Sequence, residues 1–315
     1  MPQIVWIVLG AAAGLIVLLF VLALIWANRW YNRALNSRCK KPYLPENAVS
    51  SEEEKAWFRE TARPTAMRAR DSLRLQGYLL EGDDSSQNWV ILAHGYNSCA
   101  ADLAHAAIAF RKEGYHVLAV DLRAHGLSDG SCIGMGWPDR LDLAQWAEVI
   151  AAKHPGASIA LYGVGMGAAA VLMATGAQLP KQVKCAAAFG GYSSALELFE
   201  SALKARHIPR FPLLPLTSLM TRLRGGYTLG QASCIIQLPK SRTPTLFLYQ
   251  EGDPWVTKPM AERVFAAAAC EKQLLFLPDT RPAEHSGYWG DLFAFLARYM
   301  GVEKTQENKT APEAE

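Results

Sequence analysis

The run IALYGVGMGAAA, Ile159 to Ala170, decides how the rest of the chain is read. Ile159 to Tyr162 is a short apolar run of strand composition. Gly163-Val164-Gly165-Met166-Gly167 interrupts it, and Ala168, Ala169 and Ala170 follow at helical density. The pattern is strand, sharp turn, helix. It sets Gly165 at the apex, just past the carboxyl end of a buried strand, where open α/β sheets place their functional residues. Glycine tolerates the unfavourable backbone that such an apex requires, but it brings no side chain to any chemistry.

Working outward, the same alternation recurs. Trp89–Ala93 and His116–Val120 read as buried strands, with helices expected over Asp102–Lys112 and Asp139–Ala152. Beyond the glycine turn, Val183–Phe189, Thr245–Tyr249 and Gln273–Leu277 read as strands. Pro259–Ala268 and Asp291–Met300 read as helices. Near the start, Ser51–Arg59 has a serine N-cap followed by glutamates, a helix opening, and Met67–Leu80 alternates as a strand or hairpin. Apolar strands alternating with helices predict an α/β fold: a mostly parallel sheet covered on both faces. The alternation lapses from Ala195 to Lys240, an apolar segment with Pro209, Pro212 and Pro215. It is expected to be a small cap insertion or a packed excursion.

The 315 residues carry a net charge of +3, too little to suggest a nucleic-acid partner. The six cysteines (Cys39, Cys99, Cys132, Cys185, Cys234, Cys270) fall singly, with no metal-ligand spacing; no metal and no cofactor are expected. Ile4–Ala27 has no charged side chain and is long enough to span a bilayer, with Trp6 at one end and Trp26, Trp30 and Tyr31 at the other. No Lys or Arg precedes it and no good small-residue cleavage site follows. The expectation is therefore a retained transmembrane helix over a secretory signal peptide. Arg29, Arg33, Arg38, Lys40 and Lys41 all follow the segment, which predicts a cytoplasmic location for the large domain. The expected organisation is a tail (1–3), the membrane helix (4–27), a basic juxtamembrane linker (28–49), one α/β domain (50–302, cap 195–240) and a polar tail (303–315).

From about Ser50 to Met300 the chain resembles the α/β-hydrolase superfamily. Within it, the chain is similar to small bacterial serine hydrolases with one N-terminal membrane helix and an S33 aminopeptidase-like domain. Five stretches carry the resemblance, in the family's order. Gly163-Val164-Gly165-Met166-Gly167 resembles the G-x-S-x-G nucleophile elbow, with glycine at the serine position. His94-Gly95-Tyr96-Asn97-Ser98 resembles the oxyanion loop, which implies that the Tyr96 and Met166 backbone amides form the oxyanion hole. Asp121 to Gly130 resembles the D-x-R-x-H-G-x-S-x-G loop, so His125 is implied to be scaffold and not base. Gln250-Glu251-Gly252-Asp253 stands where relatives read H-G-D-x-D, which places the triad acid at Asp253. Pro282-Ala283-Glu284-His285 resembles the segment of the catalytic histidine, which makes His285 the implied base. The implied substrate is an ester or small amide, and the composition of the cap segment suggests an apolar acyl group.

Gly165 cannot be a nucleophile, so the acyl-enzyme route is closed to this chain. Four readings stay open at the level of sequence. The first is a natural pseudoenzyme or membrane-tethered binding module. The second is removal of the serine by engineering. The third is activation of a water by His285 in the vacant space. The fourth is a nucleophile relocated to Ser98, Cys99 or Ser193, which follow strands at the same sheet edge.

Overall fold

The computed structural model describes residues 2–37, 50–278 and 286–301. Its centre is an eight-stranded sheet: β1 (Arg63–Arg68), β2 (Arg74–Leu80), β3 (Asn88–Ala93), β4 (His116–Val120), β5 (Ser158–Val164), β6 (Val183–Phe189), β7 (Thr245–Gln250) and β8 (Lys272–Leu277). The spatial order is β1-β2-β4-β3-β5-β6-β7-β8. The β1–β2 and β2–β4 pairs are antiparallel and every other pair is parallel. The hairpin β1–β2 is thus the strand-or-hairpin region anticipated at Met67–Leu80.

Period-two alternation sorts the strand residues onto two faces. Trp89, Ile91 and Ala93 join one core with Ile159, Leu161, Phe247 and Tyr249. Val90 and Leu92 join the other with Ala160, Tyr162, Leu246 and Leu248. Helices cover both faces, as continuous apolar strands demand. Against the first face pack α4 (Asp139–Lys153), α5 (Met166–Thr175) and α9 (Lys258–Ala267). Against the second pack α3 (Ala104–Lys112) and α10 (Ser286–Met300), with α2 (Glu52–Thr61) contributing Phe58. The opening of α2 is set by a capping box: Ser51 Oγ accepts the Glu54 N–H at 3.1 Å, and Glu54 accepts the Ser51 N–H at 2.8 Å.

The segment 195–240 carries α6 (Ala195–Ala205), α7 (Leu213–Gly225) and the short α8 (Cys234–Gln237), so the lapse in alternation is a run of helices. One expectation changes. The N-terminal helix α1 runs from Pro2 to Ala34 without stopping at Ala27, so the region expected to begin a linker is helical. At 1.5 Å per residue it is about 50 Å long, more than the roughly 30 Å hydrocarbon core of a bilayer. The surplus is its carboxyl end. Ala27, Tyr31 and Leu35, spaced four apart, are fully buried in the domain core, whereas Ile4 to Leu22 is exposed. By length and composition Gln3–Ala34 is a candidate membrane span.

Candidate active site

The strand order doubles back at β3: the chain leaves β3 for β4 on one side and later returns to β5 on the other. A crevice opens at such a switch point, outside the carboxyl ends of the two strands. The loop after β3 begins at His94, and the turn after β5 is Gly165.

Gly165 sits at φ +57°, ψ −112°, a conformation that side chains rarely adopt. Its N–H donates to the Phe189 carbonyl at 2.8 Å, which ties the apex to the end of β6. The three glycines do different work. A Cβ at Gly163 would lie 2.4 Å from the Gly167 carbonyl oxygen, and one at Gly167 would lie 2.1 Å from that of Ala93. Backbone approaches backbone at both, so only glycine fits. A Cβ at Gly165 would meet nothing nearer than Gly95 Cα at 3.8 Å. The apex therefore has room for a side chain, and that side chain would stand against the β3 loop.

Met166 opens α5. The first hydrogen bond of that helix runs from the Ala169 N–H to the Gly165 carbonyl, at 3.0 Å. The amides of Met166, Gly167 and Ala168 thus have no partner inside the helix and lie at its positive end. Tyr96 is on the facing loop. Its hydroxyl donates to the Ala34 carbonyl at the end of α1, at 2.5 Å, and burial pushes its pKa up to about 12.

The two loop histidines are scaffold. His94 Nε2 accepts the Leu122 N–H at 3.0 Å, and its Nδ1 lies 2.7 Å from the Gly95 carbonyl. His125 Nε2 accepts the Asn97 N–H at 3.2 Å, and its Nδ1 lies 2.8 Å from the Arg123 carbonyl. In each ring Nε2 is the acceptor, so Nδ1 carries the proton and donates to the carbonyl. The rings meet edge-on at 5.0 Å and stitch the β3 loop to the β4 loop. Asp121 completes this scaffold: Oδ1 accepts the Ala100 N–H at 2.8 Å and Oδ2 the Leu127 N–H at 2.9 Å.

Asp253 follows β7, at the same sheet edge. Its Oδ1 accepts the N–H groups of Trp255 at 2.7 Å and Val256 at 3.0 Å, which fixes the carboxylate within its own turn. His285 falls outside the described residues, as do Pro282, Ala283 and Glu284.

The alternative nucleophiles are all engaged elsewhere. Ser98 Oγ donates to Asp102 at 2.8 Å, and the buried Ser193 Oγ donates to Glu197. Burial and the carboxylates of Asp102 and Asp121 push the Cys99 thiol up to about 11, which keeps it protonated near neutral pH.

The sheet order and the strand-to-helix apex at Gly165 define an α/β-hydrolase fold. More narrowly, residues 84–222 match the family model described as serine aminopeptidase, S33. The uncharacterized protein YqkD of Bacillus subtilis (strain 168) is 27% identical over 194 residues. That alignment spans 61% of this chain and 63% of YqkD, so less than two thirds of that relative is matched. The esterase Pf2001 of Pyrococcus furiosus superposes with a TM-score of 0.62 at 21% identity, over 83% of this chain and 96% of that one. The α/β hydrolase GrgF from a Penicillium species gives 0.58 at 18% identity, over 76% and 99%. XC6422 of Xanthomonas campestris, a serine hydrolase described as lacking a lid, gives 0.54 at 16%, over 77% and 96%. At these identities the structural likeness speaks to the fold.

Sequence reasoning missed the part that α1 plays. Tyr31 and Leu35 extend the Ala27 period by one and two turns of four, and that spacing was the available signal. The bond from Tyr96 to Ala34 had none, because it joins residues 62 apart.

Proposed function

We propose that the chain is a membrane-anchored α/β-hydrolase-family protein whose pocket accepts an ester or small amide with an apolar acyl group. Its acyl-enzyme chemistry is closed by Gly165. The anchor is retained and not cleaved, and the domain lies on the cytoplasmic side. Burial of Ala27, Tyr31 and Leu35 in the domain core supports retention, since cleavage near Ala27 would remove a wall of the fold. The esterase-like neighbours support the substrate class. Asp253 and His285 take the acid and base positions, and the amides of Tyr96 and Met166 form the oxyanion hole.

One observation carries the reading: the apex has the backbone conformation and the open space that a nucleophile elbow needs, and glycine supplies no nucleophile there. The tied hydroxyls of Ser98 and Ser193 and the protonated Cys99 favour a binding role over a relocated nucleophile. The full chain in detergent is expected to hydrolyse short-chain nitrophenyl esters no faster than buffer. Gly165→Ser is expected to raise turnover by roughly a hundredfold or more, and adding His285→Ala should remove that gain. In the serine variant Oγ attacks the ester carbonyl as His285 takes its proton, nitrophenolate leaves as the acyl-serine forms, and water, giving a proton to His285, hydrolyses that ester to a carboxylate and free serine. Brisk turnover by the unsubstituted chain that is lost in His285→Ala would overturn the non-catalytic reading. If neither chain turned over, the assignment of the base and acid would fall.

A further inference from the structure

Helix α7 buries Leu213 and Leu214 in the core but leaves two further leucines in the open. Its inward face carries Thr217 and Thr221, both fully buried, whose hydroxyls turn back to the Leu213 and Thr217 carbonyls at 2.8 Å. Its outward face carries Leu219, 49% exposed, and Leu223, 76% exposed, four residues apart; Phe211, 75% exposed, precedes the helix. A surface helix of a soluble domain directs such leucines inward. Clustered exposed apolar side chains of this kind mark an interaction surface.

What covers that face follows from its neighbour. Helix α7 packs along α1, and the Arg224 guanidinium lies 4.8 Å over the Tyr31 ring. The outward leucines are therefore carried by a helix that packs beside α1, whose other end is the exposed apolar stretch Ile4–Leu22. Arg224 stands at the α1–α7 junction, and the exposed Arg29 of α1 and Arg222 of α7 lie within a turn of it in sequence, side chains of the charge that meets anionic headgroups beside an apolar face. We propose that α7 is a second membrane contact, with Leu219 and Leu223 seated in the apolar edge of a lipid surface and the arginines at its headgroups. The proposal rests on the reading of α1 as a retained span. Tyr96, on the loop that faces Gly165, is tied to Ala34 at the end of α1, which sets that loop beside the helix that carries the apolar stretch.

The test uses the full chain in vesicles of phosphatidylcholine with a minority of phosphatidylglycerol. Nitroxide labels are placed one at a time at Leu219→Cys, at Leu15→Cys in α1 and at Lys153→Cys on α4, and the signal of the labelled unsubstituted chain is subtracted. Collision with oxygen, which favours lipid, is compared with collision with a water-soluble nickel chelate. The oxygen-to-nickel ratio at 219 is expected to be several-fold above that at 153 and to approach that at 15. A low ratio at 219 with a high ratio at 15 would overturn the α7 proposal and leave the anchor standing. Low ratios at both would overturn the anchor reading itself. Dipolar broadening at 219 would show a second copy covering the face, and would also overturn the proposal.

Discussion

At the scale of single residues, the G-x-G-x-G turn separates two kinds of requirement. Gly163 and Gly167 are demanded by space, because a Cβ at either would sit inside a neighbouring peptide unit. Gly165 is demanded by neither space nor hydrogen bonding; glycine there relieves strain at φ +57°. The predicted order of stability follows. Gly167→Ala should lower the unfolding free energy by about 3 kcal/mol or more, since the clash is with rigid backbone. Gly165→Ala should cost about 1–2 kcal/mol, the order of one strained residue. Urea denaturation of the full chain in mild detergent measures both, and equal losses would refute the distinction. The same contrast explains why the turn keeps its shape with no side chain at its apex. It also shows what was legible. The spacing of the three glycines identified the turn from the sequence, but which of them packing forces became visible only once Ala93 and Gly167 were brought face to face.

At the scale of elements, α1 does two jobs along one continuous helix. Its first part is exposed and apolar, and its last part is domain core. Tyr31→Ala or Leu35→Ala should therefore destabilise the α/β domain by about 2–5 kcal/mol, as large-to-small changes in a packed core do. Leu15→Ala, at an exposed position, should leave the domain's urea midpoint within about 0.5 kcal/mol of the parent. Tryptophan fluorescence in detergent follows the transition. If Tyr31→Ala leaves the midpoint unmoved, the end of α1 is not part of the fold. Periodicity recovered most elements to within a residue or two, because buried strands and amphipathic helices write their periods locally. The long helix was cut short at Ala27 because charge, not burial, was the only sequence sign of where the membrane segment stops. Asn28, Arg29 and Arg33 look like the start of a linker until the core that receives Tyr31 is known.

At the scale of the whole molecule, pH should act through a carboxyl remote from the elbow. Asp139 opens α4 fully buried. Its Oδ2 accepts the Gly136 N–H at 2.9 Å, while Oδ1 has no hydrogen-bond partner among the described residues. Burial first, and the neighbouring Asp142 second, push its pKa up to about 7. A carboxyl raised in the fold holds its proton there, so its favourable share of stability is complete below the ordinary value of 3.8. That share is lost as pH rises through about 7. The melting temperature should fall across that window, and Asp139→Asn, which keeps an acceptor for Gly136, should flatten the decline. A variant with an unchanged pH profile would show that Asp139 is ionised in the fold. The sequence by itself determined the sheet-and-helix alternation, the glycine turn, the apolar N-terminal helix and the absence of a nucleophile at 165, because each is a local pattern of residue types. Only the tertiary structure decided that the His94 and His125 rings bond the Leu122 and Asn97 amides, that Ser98, Cys99 and Ser193 are engaged elsewhere, and that the end of α1 walls the loop after β3. Those are contacts between residues far apart in the chain, and a side chain's role there is set by the partner that folding delivers to it.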